Sequence, residues 1–156
     1  MVQSGISFER THDWELVKKI ATHPKNWTHI GDDFAPEPSK WEPNKSDDVW
    51  YILARDGGEL LGLFVIFPEN AVCWRIHMCM LPVGYGERAH AAGRGIVEWV
   101  WNNTPCRRIV ASICEDNRLA LAFALSSGFI GFGMNEKSWL KDGELKNLIM
   151  LGVSKE

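Results

Sequence analysis

The pattern of apolar and polar positions predicts a chain that begins with a strand and an amphipathic helix. Residues 6–10 alternate with a period of two, which is typical of a strand with one buried face. Thr11 is a good N-cap for the helix that follows, and His23 and Pro24 end that helix. Between these limits the apolar residues share one helical face: Trp14, Leu16, Val17 and Ile20.

Residues 25–47 are the least regular part of the sequence. A short helix around 27–30 is predicted, and the prolines that follow it favour a long loop. Because this loop is acidic, it could form the rim of a pocket for a cationic substrate, or it could be a solvated charged surface, as most charge-rich segments are. Its carboxylates are Asp32, Asp33, Glu37, Glu42, Asp47 and Asp48.

The middle of the chain predicts a meander of three strands. Residues 49–54 and 60–67 are rich in β-forming residues and flank a glycine-containing turn at 56–59. The third strand covers 71–81, and its alternation puts His77 on the same face as Arg75.

The last third predicts further helices and strands in alternation. The helix over 88–102 has Gly93 and Gly95 in its middle, which indicates that another part of the protein packs close to its backbone there. The other elements are a strand over 108–113, a helix capped by Asp116 or Asn117 that ends at 127–128, a strand over 129–132, and a hairpin of 138–140 with 145–153. The tally of about seven strands and four helices predicts an α+β domain with a mixed sheet, covering 1–156.

Composition narrows the class of protein. The chain is 46% hydrophobic, and its net charge of -3 without clustered lysines or arginines argues against nucleic-acid binding. No apolar run is long enough for a membrane helix, and the four cysteines form no C-x-x-C pair. The histidines lack the spacing of zinc ligands, so no metal is predicted. We therefore expect a cytoplasmic protein.

Two features of the sequence are candidates for a binding site or a catalytic residue. After the strand 71–81, the chain turns through Gly84 and Gly86 directly into a helix, and the unpaired amides of a helix N-terminus can bind an anion. His77 lies just before this turn, and an imidazole titrates near neutral pH, so His77 could act as a general base. The alternative is a structural histidine that is hydrogen-bonded within the sheet.

From Val49 onward the order of elements resembles a known family. The segment Asn117-Arg-Leu-Ala120, followed by Ser126-Ser-Gly128-Phe129, resembles the N-x-x-A and G-F motifs of the Gcn5-related N-acetyltransferases (GNAT), and the final hairpin fits their last two strands. Within that family the chain is most similar to divergent members from tailed bacteriophages, in which a strand ending in a His and Pro pattern and a Trp-containing helix occur in the same order. These features are His77 with Pro82, and Glu98 to Trp101.

The resemblance implies a fold and a cosubstrate. The fold would be a mixed, mostly antiparallel seven-stranded sheet that is splayed between its fourth and fifth strands, with about four helices. Acetyl-CoA would lie in the gap, with its pyrophosphate on the loop after strand four, and the backbone amide of Leu81 would stabilise the oxyanion. The implied cofactor-binding residues are Leu81, Val83, Gly84, Tyr85, Gly86, Glu87, Arg88, Ala89, Asn117 and Phe123.

The resemblance also implies an activity. A primary amine, on a small molecule or a protein, would attack acetyl-CoA directly in a ternary complex, with His77 as the base. The family's acidic tyrosine is replaced by Ala124, and its loop motif is degenerate around Gly86. A non-catalytic phage accessory or assembly protein that uses the scaffold for binding therefore stays open as an alternative. For a phage protein the location would be the host cytoplasm, and a homodimer also stays open.

Overall fold

A computed structural model describes residues 5–156 as a seven-stranded mixed sheet with helices on both faces. The strand order is β1-β2-β3-β4-β5-β7-β6. In chain order the elements are β1 (Ile6–Thr11), α1 (Trp14–Ala21), α2 (Pro24–Ile30), β2 (Trp50–Asp56), β3 (Glu59–Pro68), β4 (Cys73–Met80), α3 (Glu87–Asn103), β5 (Arg108–Cys114), α4 (Arg118–Ser126), β6 (Ile130–Lys141) and β7 (Glu144–Ser154), with short 3-10 turns at Pro38–Lys40 and Pro82–Gly84. The α+β prediction is confirmed.

The sheet opens between β4 and β5. These two strands are parallel and are paired at only three positions, the last of which joins Arg75 to Val110. β4 nevertheless stays paired with β3 up to Met80, and β5 stays paired with β7 up to Cys114. Beyond Arg75, β4 therefore has a neighbour on one side and a gap on the other, and the predicted splay is confirmed.

Two hydrophobic clusters hold the helices against the sheet. The larger one joins α3 and α4 to one face and includes Phe64 and Ile96, both 1% exposed. The smaller one joins α1 to the opposite face through Val17, Leu63 and Cys79. We call the face covered by α3 and α4 the α3 face, and the opposite one the α1 face. Successive side chains of a strand point to opposite faces, so β4 contributes Met78 and Met80 to the α3 face and His77 and Cys79 to the α1 face.

The two glycines of α3 allow close packing. A Cβ atom on Gly93 would lie 2.6 Å from the ring of Phe123 on α4, and one on Gly95 would lie 2.8 Å from Phe8 on β1. Such distances are too short for a methyl group unless the rings move. The prediction that other parts of the protein approach the middle of this helix is confirmed.

Three element boundaries differ from the sequence prediction. Thr11 belongs to β1, where it pairs with Tyr51, and the N-cap of α1 is Asp13, whose carboxylate accepts a hydrogen bond from the Leu16 amide at 3.1 Å. α1 ends at Ala21, just before His23 and Pro24, and Pro24 also begins the next helix, because a proline in the first turn of α2 loses no helical hydrogen bond. The two strands predicted at 129–132 and 138–140 fall within the single strand β6, which begins at Ile130 and whose register with β7 is irregular between them.

Candidate active site

A cleft passes through the sheet at the gap between β4 and β5. Its volume is about 1140 Å³, and it reaches from the α3 face to the α1 face. Gly86 and Phe123 line it on the α3 face, Trp41 and Tyr51 line it on the α1 face, and Met78 lies between them. A long ligand that enters from one face can therefore meet a second molecule that enters from the other face.

The N-terminus of α3 opens into the α3 face of the cleft. Gly86 is its N-cap, with φ 86° and ψ -139°, a conformation that residues with a Cβ atom rarely adopt. No side chain caps the helix, and the first helical bond runs from the amide of His90 to the carbonyl of Gly86 at 3.2 Å. The three amides of 87–89 consequently have no hydrogen-bond partner within the described residues, and they are available to an anion.

The structure separates the predicted cofactor residues into two groups. Five of them line the cleft: Tyr85, Gly86, Ala89, Asn117 and Phe123. The other five do not: Leu81, Val83, Gly84, Glu87 and Arg88. Asn117 caps α4 by accepting a hydrogen bond from the Ala120 amide at 3.2 Å. Of the two predicted N-cap candidates, Asp116 and Asn117, the structure therefore has Asn117.

Arg88 is engaged away from the cleft. Its guanidinium forms ion pairs with Asp56 at 3.1 Å and with Glu59, both next to the β2–β3 turn. It also donates a hydrogen bond to the carbonyl of Val83 at 3.2 Å. Because two carboxylates already surround this cation, the backbone amides of α3 are left as the main positive group at the helix start.

The Leu81 amide does not face the gap, which corrects the predicted oxyanion donor. It donates a hydrogen bond to the carbonyl of Leu61 on β3 at 2.8 Å. Backbone groups of an antiparallel strand turn to alternate sides, residue by residue, so the amides of Met78 and Met80 point to the β5 side. Because β5 has diverged there, these two amides are the available donors of β4.

His77 has solvent-accessible surface inside the cleft and protein around the rest of its ring. The ring stacks on Phe67 with centroids 5.9 Å apart. Desolvation and the charge of Arg75 lower the pKa of His77 below its ordinary value of about 6.5. The imidazole is therefore neutral at pH 7 and can accept a proton.

Arg75 closes the base of the gap. It forms an ion pair with Glu69 at 2.6 Å and donates a hydrogen bond to the hydroxyl of Ser112 on β5. Arg75 is also the last β4 residue in register with β5. The side-chain bridge thus fixes the point at which the two strands separate.

Sequence reasoning missed His90 and Tyr51 as residues of the cleft. His90 stacks on Phe123 at 6.2 Å and is hydrogen-bonded to the Ser126 hydroxyl. The sequence feature that could have identified His90 is its position four residues after Gly86, one helical turn into α3. Tyr51 is 4% exposed, and its hydroxyl accepts a hydrogen bond from the Asn44 amide at 2.9 Å. No local pattern on β2 indicates this long-range contact.

The acidic residues of the loop after α2 do not line the cleft. The Asp33 carboxylate accepts hydrogen bonds from the amides of Asp142 and Gly143, at 2.7 and 2.8 Å, which lower its pKa. Glu42 pairs with Lys18 at 2.8 Å. Since none of the loop's carboxylates lines the cleft, the structure favours the solvated acidic loop over the rim of a pocket for a cationic substrate.

Within residues 5–156, no group of three or more His, Cys, Asp or Glu side chains is placed to hold a metal ion. None of the helices in this described range is long and apolar enough to cross a membrane.

The sheet order, the gap and the helix at its mouth define the fold of the Gcn5-related N-acetyltransferases. The chain is similar to spermidine N-acetyltransferase from Vibrio cholerae in complex with CoA and spermine, with a TM-score of 0.76 and 11% identity, over 97% of this chain and 96% of that one. It is also similar to ribosomal-protein-alanine N-acetyltransferase from Brucella melitensis, with a TM-score of 0.58 and 16% identity, over 69% and 70% of the two chains. No family model and no curated protein sequence matches the chain. At these low sequence identities, the comparison establishes a similarity of fold.

Proposed function

We propose that this protein is an acetyl-CoA-dependent N-acetyltransferase that acts on an amine. The observation that carries the proposal is the cleft through the sheet, which has a free helix N-terminus at one end and His77 inside it. This arrangement would hold a thioester across the sheet and expose it to an acceptor on the α1 face. The two solved neighbours are N-acetyltransferases, and one of them is in complex with CoA, which supports the same proposal.

The cofactor would occupy the α3 face of the cleft. The amides of 87–89 would bind the pyrophosphate, with Gly86 giving the backbone the turn that this requires. Tyr85, Asn117 and Phe123 would contact other parts of the cofactor, since they line the same end. Neither Glu87 nor Arg88 lines the cleft, and the Arg88 side chain would stay outside it because Arg88 is held by Asp56 and Glu59.

The chemistry would be a direct transfer in a ternary complex. Bound acetyl-CoA supplies an activated acetyl group. His77 would take a proton from the amine, the amine nitrogen would form a bond to the acetyl carbon, and the carbon–sulfur bond would break, so that the electron pair leaves on the thiolate. The amides of Met78 and Met80 would stabilise the charge that develops on the carbonyl oxygen. A thiolate leaves readily, so the absence of a tyrosine at Ala124 is compatible with transfer.

The finer assignments are proposals from the sequence. A bacteriophage origin, a cytoplasmic location and a homodimer stay predictions. The alternative of a non-catalytic binding protein is the weaker of the two, because the cleft is open through the whole sheet and a neutral imidazole lies in it.

The proposal is tested by mixing the protein with acetyl-CoA and a panel of amines and measuring released thiol and acetylated amine. We expect thiol release that depends on the amine, with one acetylated product per thiol. Acetyl-CoA binding without any transfer would favour the non-catalytic alternative, and the absence of both would contradict the proposed function.

A further inference from the structure

The side chains that line the cleft include no carboxylate within the described residues. Lys25 and Arg75, in contrast, do line it. Three histidines, His29, His77 and His90, complete its ionisable groups apart from cysteine and tyrosine. An acceptor with several ammonium groups would meet only neutral or positive side chains in this space.

Arg75 and Lys25 differ in how many hydrogen bonds and ion pairs they already form with other protein groups. Arg75 has Glu69 as its counter-ion, although its guanidinium has more donors than the three used for Glu69 and Ser112. Lys25 lies in the first turn of α2 and is exposed, and its ammonium has no hydrogen-bond or ion-pair partner within the described residues. Lys25 is therefore a free positive charge at the edge of the α1 face.

The neighbouring pocket does not reverse this charge balance. It has a volume of about 180 Å³, adjoins the cleft at His29, and contains Asp116 and Asp142. Asp116 is paired with Lys146 at 2.9 Å, and Lys141 lines the pocket beside Asp142. Burial lowers the pKa of His29 and of His77, and the charges of Lys141 near His29 and of Arg75 near His77 lower these pKa values further.

The remaining surface of the cleft on the α1 face is apolar and aromatic. Trp41, Tyr51 and Trp139 line it together with Ile30 and Leu148. Such a surface favours a compact apolar body over a long, flexible polar chain.

We propose that the acceptor is an amine that carries an anionic group, such as a carboxylate, on a compact apolar body, and that Lys25 binds the anionic group. This inference extends the proposed function and rests on it, because a ligand of this cleft is an acceptor only if the protein is a transferase. It separates this chain from a polyamine acetyltransferase despite the shared fold. An electropositive cleft also favours the neutral form of the amine, which is the nucleophile.

The test compares the binding of three probes to the CoA-loaded protein by calorimetry. L-Phenylalanine has the carboxylate, 2-phenylethylamine is the same molecule without it, and spermidine is a polyamine. We expect L-phenylalanine to bind about fivefold more tightly than 2-phenylethylamine, as one partly exposed ion pair allows, and spermidine to bind most weakly. Lys25→Gln should remove the advantage of the carboxylate, and Lys45→Gln, which changes an exposed lysine outside the cleft, should keep it.

Spermidine binding as tightly as L-phenylalanine would overturn the inference. Equal binding of the two aromatic amines, or no binding of L-phenylalanine at millimolar concentration, would overturn it as well. If the expected order is found in a protein that transfers no acetyl group to any amine, the proposed function fails while the inference about the ligand class stands.

Discussion

At the scale of single residues, His77 links the sheet to the proposed chemistry. The alternation along β4 places it on the α1 face, and the absence of β5 beyond Arg75 opens the cleft beside it. The strand and the face of His77 were predictable, since both follow from a period of two. The stacking on Phe67 and the available amide donors were not, because the hydrogen bond from Leu81 to Leu61 depends on the register between two strands.

Replacement of His77 tests its role as the base. His77→Gln should lower kcat by roughly 10²- to 10⁴-fold, the usual contribution of a general base, and should leave the affinity for acetyl-CoA unchanged. The measurement is steady-state kinetics together with calorimetric binding. His12→Gln, at an exposed histidine outside the cleft, is the matched control and should keep full activity. Equal losses of turnover and cofactor affinity would make His77 a structural residue.

The dependence of the rate on pH tests the same residue independently. Burial and Arg75 lower the pKa of His77, so the base is neutral above that pKa and becomes protonated only as the pH falls through it. In a logarithmic plot of kcat/KM against pH, deprotonation of the amine gives a slope of about one, and protonation of His77 raises the slope to about two below pH 6.5. The His77→Gln protein should keep a slope of one throughout, and a wild-type profile without the steeper part would argue against the base.

At the scale of elements, the junction between β4 and α3 opens into the cleft, where we propose that the cofactor binds. The sequence predicted the strand, the turn and the helix of this junction, because turn chemistry and helical periodicity are local signals. The loop after α2 had two interpretations, and its carboxylates, none of which lines the cleft, favour the solvated surface over the rim of a pocket. Asp33 of this loop bonds to the β6–β7 turn, more than a hundred residues away. Contacts over such distances in sequence leave no local pattern.

The backbone conformation of Gly86 gives a prediction for this junction. Gly86→Ala should lower the free energy of unfolding by about 1–3 kcal/mol, the typical cost of a strained backbone at φ 86°. It should also weaken acetyl-CoA binding, since relief of the strain reorients the first amides of α3. Denaturant titration and calorimetry measure the two effects.

Gly133→Ala is the control for this change. Gly133 also has open space around its Cα atom, but its backbone lies outside the left-handed region, so the substitution should cost little. If the two variants are equally stable and bind acetyl-CoA equally well, the turn at Gly86 is not the constraint that the structure indicates.

At the scale of the whole molecule, the open sheet is what makes the proposed reaction possible. Seven strands, two layers of helices and the separation of β4 from β5 create one cleft with an end on each face. The family resemblance predicted the splay, and the structure confirms it. The charged and aromatic lining of the cleft could not be predicted, because Lys25, Arg75 and Trp139 come from three distant segments that only the fold brings to one surface.

Stabilisation of the folded protein by acetyl-CoA tests the central claim most directly. A ligand that binds only the folded state at 100 times its Kd adds about 2.7 kcal/mol to the free energy of unfolding. We predict an increase of this size with acetyl-CoA and with CoA, and a much smaller one with pantetheine at the same concentration, because pantetheine lacks the pyrophosphate that the α3 amides would bind. No stabilisation by millimolar acetyl-CoA would contradict the account.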